Sequence, residues 1–335
     1  MSFPPVRASE GRHRPSPPPA QPQPQPHLLT LQPKPTLTTT MTPIMTPGDS
    51  VQLGKSLPSH APPTYHAPFF LDVFFFYTRG FDSPPGVSGF GRIGRMTLRA
   101  FQEMQRNDME VVLINSPGPV ETSAHLYEFD SVHGRVANGV NYGDDWLDIG
   151  TGRIYMSRER DPANIPHAKH GVDIVLECSG KFNNRDASAA HLAAGAKKVL
   201  VSAPCKNADI TVVYGVNHKK ITKDHKIISN GSCTTNCLAP LVYLIDKDIG
   251  INSGYMTTVH AYTGDQSLQD TLHSDLRRAR AASYSMIPTG TGAAKAVGLV
   301  LPELNGKLDG TAIRVPTANV SIVDLKFTSK RPLIS

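Results

Sequence analysis

Runs of consecutive apolar, largely β-branched residues recur along the chain: MEVVLIN (109–115), VDIVLEC (172–178), KVLVSA (198–203) and KIISN (226–230). Apolar residues at successive rather than alternate positions are what a parallel sheet buries when both its faces are covered. Between these runs lie stretches of helical character. GFGRIGRMTLRAFQEMQ (89–105) opens on glycines and continues as an amphipathic helix, and ASAAHLAAGA (187–196) is rich in good helix formers. Strands separated by helices predict an α/β chain with a doubly wound parallel sheet. No internal repeat is evident.

The pattern is absent upstream. FFLDVFFFYTRGF (69–81) is an aromatic burst interrupted by Asp72, read as a short apolar strand lying on the folded part. Residues 1–68 hold 17 of the 29 prolines, with Gln-Pro alternation at 21–26 and a Ser/Thr-rich stretch at 36–50. Such a tract buries too little apolar surface to offset its ordering entropy and reads as a disordered extension. Its basic, acid-poor start admits an organelle transit peptide, although Arg is sparse after Arg14; without targeting, the address is cytoplasmic.

Composition narrows the class. The net charge is +6, from 34 Lys plus Arg against 28 Asp plus Glu. Half of that excess lies in the first 68 residues, so the balance does not call for a nucleic-acid partner. No apolar run reaches the roughly 18 residues of a membrane-spanning helix. Four cysteines (Cys178, Cys205, Cys233, Cys237) are too few for a disulfide-built scaffold.

Gly89, Gly91 and Gly94 form G-x-G-x-x-G ahead of a helix, and a second apolar strand ends about twenty residues on. This is the pattern of a dinucleotide turn: a tight bend, close backbone approach to a pyrophosphate, and an anion held at a helix N-terminus. Two features depart from it. The preceding strand reads DSPPGVS, and Pro84 and Pro85 cannot donate to a ladder expected to be central. The second strand ends on Asn115-Ser116, where an acidic residue normally holds the ribose hydroxyls; Ser116 leaves room for NADP beside NAD.

SNGSCTTNCLAP (229–240) follows a strand and precedes an apolar, helical stretch. A Cys that opens a helix gains from the positive end of the macrodipole, which favours the thiolate. Ser232, Thr234 and Thr235 add hydroxyl donors for an oxyanion or phosphate. C-x-x-x-C with no further clustered cysteine is poor support for zinc, so no metal is expected. Cys178 and Cys205 read as buried structural thiols. His260, in TTVHAYTGDQ (257–266), closes a β-branched run and becomes the natural base once paired with Cys233.

The strings GFGRIGR, SCTTNCLAP, TTVHAYT, IPTGTGAAKAVG and RVPTANVSIVDL occur here in order. Together they closely resemble phosphorylating glyceraldehyde-3-phosphate dehydrogenases, bacterial in the DLRRARAAS segment, over about residues 87–330. The resemblance implies a Rossmann-type nucleotide-binding domain over 87–231 and an α+β catalytic domain over 232–335, after the extension (1–68) and an atypical apolar segment (69–86). It implies NAD as cofactor, glyceraldehyde 3-phosphate and inorganic phosphate as substrates, and a homotetramer whose contacts include the loop at about 262–290. By the same resemblance Cys233 is the nucleophile and His260 its activating partner. Ser232, Thr234, Thr291 and Gly292 match anion-binding donors. Thr263 and Arg314 match the substrate-phosphate group, and Arg278 matches a phosphate-side arginine. Gly89, Gly91, Arg92, Ile93, Gly94, Ser116, Arg160 and Ser202 match cofactor positions.

After VSIVDL the family continues with more catalytic-domain sheet, an Asn that orients the nicotinamide, and a closing helix. Here KFTSKRPLIS follows instead, so the catalytic domain reads as incomplete, with exposed apolar surface and unpaired sheet edges. Two alternatives stay open on sequence alone: a catalytically impaired remnant that retains nucleotide or RNA binding, and an erythrose-4-phosphate dehydrogenase, which shares the SCTTNC and DLRR features.

Overall fold

The computed structural model describes residues 84–104 and 109–332. The extension expected over 1–68 and the aromatic burst at 69–81 lie outside the described residues.

The first part is an alternation of strands and helices: β1 (Pro85–Ser88), α1 (Arg92–Glu103), β2 (Leu113–Asn115), α2 (Val120–Glu128), β3 (Phe129–Asp130), β4 (Gly134–Arg135), β5 (Asn141–Tyr142), β6 (Trp146–Asp148) and β7 (Arg153–Ser157). It continues through β8 (Ile174–Glu177), α3 (Arg185–Ala193), β9 (Lys198–Val201), β10 (Ile210–Thr211) and β11 (Ile227–Ser229). Among the described residues, nine strands form one sheet in the order β10-β11-β9-β8-β1-β2-β7-β6-β5, parallel as far as β7 and closed by two antiparallel strands. β3 and β4 form a separate hairpin.

Register sorts the apolar runs onto two faces. Ile114, Val87, Leu176, Leu200 and Ile228 stand side by side across five strands and are at most 3% exposed. They pack with Leu98 and Phe101 of α1 and Tyr127 of α2. The opposite face carries Leu113, Val175, Val199 and Ile227, packed with Val172 and Ile165. Gly86 interrupts this second row because a Cβ there would stand 2.9 Å from Val172 Cγ1. Two buried faces explain the unbroken apolar runs.

The prolines before Gly86 do not cost the sheet its centre, contrary to the sequence expectation. β1 pairs in parallel with both β2 and β8. Pro85 is the first residue of the strand, where a missing N–H is tolerated, and the proline carbonyls are used. Pro84 O accepts from Asp173 N at 3.1 Å and Pro85 O from Val112 N at 3.1 Å.

The second part consists of α4 (Cys233–Asp248), β12 (Ile251–Ala261), β13 (Ile287–Gly290), α5 (Ala293–Val300), β14 (Leu308–Val315) and β15 (Ser321–Ser329). Its sheet runs β13-β14-β12-β15, with only β12 and β14 parallel. Val242 and Leu238 of α4 and Val297 of α5 pack against Met256, Leu325 and Phe327. The other face of this sheet is more open; Tyr255 is half exposed.

One buried carboxylate ties the β3–β4 hairpin to α1. Asp130 accepts from the N–H groups of Val132 and His133 at 2.9 Å each and from Arg92 Nη1 at 2.8 Å. Burial alone would raise Asp130, but these donors win and hold it at about 2. The contribution is therefore present above the ordinary carboxylate range and lost as pH falls from about 4 towards 2. Asp130→Asn should lower stability at pH 7 by about 1–2 kcal/mol and flatten the acid limb, as read by denaturant titration across pH.

Candidate active site

In a doubly wound sheet the ligand crevice lies outside the carboxyl ends of the strands where the order reverses. Here that point is between β1 and β8. The chain leaves β1 at Gly89, with φ at +90°, and a Cβ there would overlap the backbone of Ser179. Gly94 passes so close to the Gly89 carbonyl that it too admits no side chain. Among the described residues, Gly91 has nothing within 4 Å of where its Cβ would lie. It is the N-cap of α1, which has no side-chain cap and no acidic residue in its first turn. The first N–H groups of a helix have no intrahelical acceptor, so open space in front of them suits a pyrophosphate. The residues present fit a dinucleotide.

The other cofactor candidates are distributed along the same edge. Ser116 follows β2 and donates its N–H to Ser157 O at 2.9 Å; Ser202 follows β9 and donates to Glu177 O at 3.0 Å. Arg160 lies on an exposed bend beyond β7, and Ile93 is exposed on α1. Arg92 is committed to Asp130, which leaves its backbone for the turn. The carboxamide of Asn115 is spent on locking β2 to the chain after β7. Its Oδ1 accepts from Ser157 Oγ at 2.8 Å and Glu159 N at 2.9 Å, and its Nδ2 donates to Glu159 O at 2.9 Å.

β11 brings the thiol to this edge. Asn230 N donates to Val201 O at 3.0 Å, Gly231 turns at φ +66°, and Ser232 caps α4 by accepting from Thr235 N. Asn236 Nδ2 donates to Asn230 O at 2.6 Å and Ser232 O at 2.9 Å, which fixes the bend. Cys233 is thus the first residue of the helix, open to solvent on one side. Its Sγ lies 3.3 Å from His260 Nε2. Desolvation pushes the thiol up, but the hydrogen bond and charge of His260, with bonds from Thr234, outweigh it and hold Cys233 below its ordinary value. Reciprocally, the Cys233 contact raises His260 against the effect of burial. His260 Nδ1 donates to Ala261 O at 2.7 Å, which aims Nε2 at the sulfur. The other thiols differ: full burial pushes Cys178 up to about 12, and burial also raises Cys205 and Cys237.

The register of β12 on β14 sets His260 opposite Arg314. Arg314 Nη1 donates to Ala261 O at 3.2 Å and Thr263 Oγ1 at 3.1 Å, while its Nε is buried without a partner among the described residues. Arg278 donates to Thr289 Oγ1 at 3.0 Å, Asp265 Oδ2 at 2.7 Å and Gly290 O at 3.2 Å. Among the described residues that leaves two of its five N–H groups for an anion. Thr235 Oγ1 reaches Ala293 O at 3.3 Å, which brings the start of α5, with Thr291 and Gly292, beside the start of α4. Thr291 Oγ1 accepts from Ala293 N at 3.2 Å.

Several residues of this arrangement escaped the sequence reading. Asp265, Asp275 and Thr289 brace Arg278, with Thr289 Oγ1 donating to Asp275 Oδ2 at 2.7 Å. They carry no motif of their own. Gln266 is buried with neither amide atom paired among the described residues. Glu177 did carry a signal, as an acid ending an apolar run.

An open glycine turn at a helix start and a thiol beside a histidine, on one edge of the sheet, fit the class of nicotinamide-dependent dehydrogenases. The chain belongs to the glyceraldehyde 3-phosphate dehydrogenase family. Residues 86–185 match the model of the family's NAD binding domain, and residues 232–334 match its C-terminal domain. The chain is similar to glyceraldehyde-3-phosphate dehydrogenases of Xanthobacter flavus (64% identical over 245 residues) and Cereibacter sphaeroides (60% over 245), covering 73% of this chain and of each relative. It is also similar to that of Geobacillus stearothermophilus, 55% identical over 241 residues, which are 72% of this chain and 71% of the relative. The cofactor is NAD.

Gly91→Val tests the turn. Its Cβ meets nothing within 4 Å and its φ of −75° suits any residue, so α1 should still form. The side chain would fill the space before the helix N-terminus, and the Kd for NAD should rise by about tenfold or more in titration calorimetry. An unchanged Kd would refute the pyrophosphate position.

Proposed function

We propose that the chain oxidises glyceraldehyde 3-phosphate to 1,3-bisphosphoglycerate, with NAD and inorganic phosphate as co-substrates. The 3.3 Å contact between Cys233 Sγ and His260 Nε2 carries this reading. The Cys233 thiolate adds to the aldehyde carbon, and the His260 imidazolium gives its proton to the resulting alkoxide, which leaves a hemithioacetal and a neutral imidazole. NAD, when bound, would supply the acceptor for the hydride that leaves that carbon. His260 takes the hydroxyl proton as the hydride leaves, so the product is a thioester. Phosphate then attacks the thioester carbonyl, the Cys233 thiolate leaves, and the oxidation energy is kept in an acyl phosphate. Thr263 and Arg314 hold the substrate phosphate, where a forked guanidinium grips two oxygens. Ser232, Thr234, Thr291, Gly292 and Arg278 receive the attacking phosphate at the paired starts of α4 and α5. Gly89, Gly91, Arg92, Ile93, Gly94, Ser116, Arg160 and Ser202 hold the dinucleotide.

A homotetramer is part of the reading. Leu272, Leu276, Tyr284 and Met286, all within residues 262–290, are 69–99% exposed, an apolar content that a subunit contact would cover. Light scattering of the purified protein reads the mass directly. We infer a cytoplasmic address because a Cys233 thiolate one helical turn from Cys237 needs a compartment that keeps thiols reduced; cell fractionation tests this.

The decisive assay is NADH absorbance with purified protein, glyceraldehyde 3-phosphate, NAD and either phosphate or arsenate. Formation that depends on the oxyanion is expected. Folded, NAD-binding protein that forms none would sink the reading and leave a nucleotide-binding remnant, and phosphate-independent oxidation of erythrose 4-phosphate would point to that substrate instead.

A further inference from the structure

One buried chain of polar side chains takes no part in the chemistry above. Glu177 ends β8 behind Ile174, Val175 and Leu176, and is 1% exposed. A carboxylate in such a place loses its hydration and persists only with several donors. It has three. Ser179 donates its N–H at 2.7 Å and its hydroxyl to Oε1, and His191 Nε2, on α3, donates to Oε2 at 3.1 Å. Behind it, His191 Nδ1 lies 3.0 Å from His167 Nε2, and both imidazoles are buried.

Counting donors assigns the tautomers. The carboxylate has no proton to give, so His191 Nε2 carries one and its Nδ1 accepts from His167 Nε2–H. That leaves His167 Nδ1 as a bare lone pair, and this atom is buried without a partner among the described residues. Orphaned buried acceptors are tolerated more readily than orphaned N–H groups. Burial and the neighbouring His191 hold His167 at about 3, so it is neutral. Apolar side chains of the same volume would fill this space without desolvating a charge, so packing alone does not account for the network.

What the network fixes is the turn after β8. Ser179 Oγ, oriented by Glu177, also accepts from Lys181 N at 3.1 Å, and Gly180 turns at φ +71°. The Ser179 backbone lies against Gly89, and Cys178 N donates to Ser88 O at 2.7 Å. This turn is the second wall of the crevice between β1 and β8. We propose that Glu177, His191 and His167 are positioning residues that hold the Ser179–Gly180 turn against the glycine turn and thereby set the affinity for NAD. The proposal rests on the family's NAD site and adds to it three side chains that need not touch the dinucleotide.

Titration calorimetry with NAD, beside steady-state kinetics and thermal unfolding, tests it on the parent and three variants. His191→Leu removes the donor to Glu177 and should raise the Kd by about tenfold or more, a loss of the size seen when supporting residues around a ligand site are removed. The loss should fall on Kd and KM for NAD more than on kcat. His191→Gln, whose amide nitrogen reaches the position of Nε2, should remain within about threefold of the parent. Should His191→Leu not fold, Glu177→Gln, which keeps the volume but turns one acceptor into a donor, carries the test with the same expected loss. A folded His191→Leu or Glu177→Gln that binds NAD as the parent does overturns the proposal. So does an equal loss in His191→Gln, since that would mark general loosening of the fold. A parent protein that binds no NAD would instead refute the cofactor site itself, and the proposal with it.

Discussion

Cys233→Ser should lower oxyanion-dependent NADH formation by at least about 10³-fold, while NAD binding and thermal unfolding stay near those of the parent. The hydroxyl fits the same space at the start of α4 and loses little packing, because Cys233 is open to solvent on one side. What it lacks is the anion. Neither the helix N-terminus nor His260 brings an alcohol near ionisation at neutral pH, whereas a thiol already held low needs only the 3.3 Å contact. Progress curves at saturating NAD read the loss. Residual turnover within tenfold of the parent would assign the nucleophile elsewhere.

His260→Gln should cost about 10²–10⁴-fold in kcat, the usual range for a positioned acid–base group, and should displace the pH profile. In the parent, His260 favours the thiolate, so the acid limb falls below the ordinary thiol value. The alkaline limb follows loss of the imidazolium proton, which the Cys233 contact delays to a pH above the ordinary histidine value. Without His260 the desolvation around the sulfur is opposed only by Thr234 and the start of α4, so thiolate formation should move to higher pH than in the parent. The rate of iodoacetamide alkylation against pH reads that midpoint separately from turnover. Cys233 should be the first thiol labelled in the parent, since burial raises Cys178, Cys205 and Cys237. A midpoint that stays put in the variant would show that the helix, not His260, activates the sulfur.

The sheet was legible where its rows are apolar on both faces. Each of the four runs read as strands became one: Leu113–Asn115, Ile174–Glu177, Lys198–Val201 and Ile227–Ser229. β1 was less legible, because the penalty of a proline depends on its place in the ladder. Pro85 starts the strand, so its carbonyl matters and its absent N–H does not. The short strands β3 to β6 gave no signal, since two or three residues are too few for a period to register. The pairing of Cys233 with His260 was expected from their chemistry, yet nothing local states a distance across 27 residues. The bracing of Arg278 by Asp265 and of Glu177 by His191 depends on tertiary contact, which spacing does not encode.

The parallel register of β12 on β14 runs unbroken from Gly254↔Leu308 to Ala261↔Val315 and sets His260 opposite Arg314. Side chains alternate along a strand, so adding or deleting one residue within either strand would turn its side chain to the other face. His260 and Arg314 therefore form one unit with respect to chain length, although each can be substituted alone. The exposed connection at 316–320 lies outside both strands, so a residue added or removed there leaves this register in place. The two strands must keep their residue count for His260 to face Arg314.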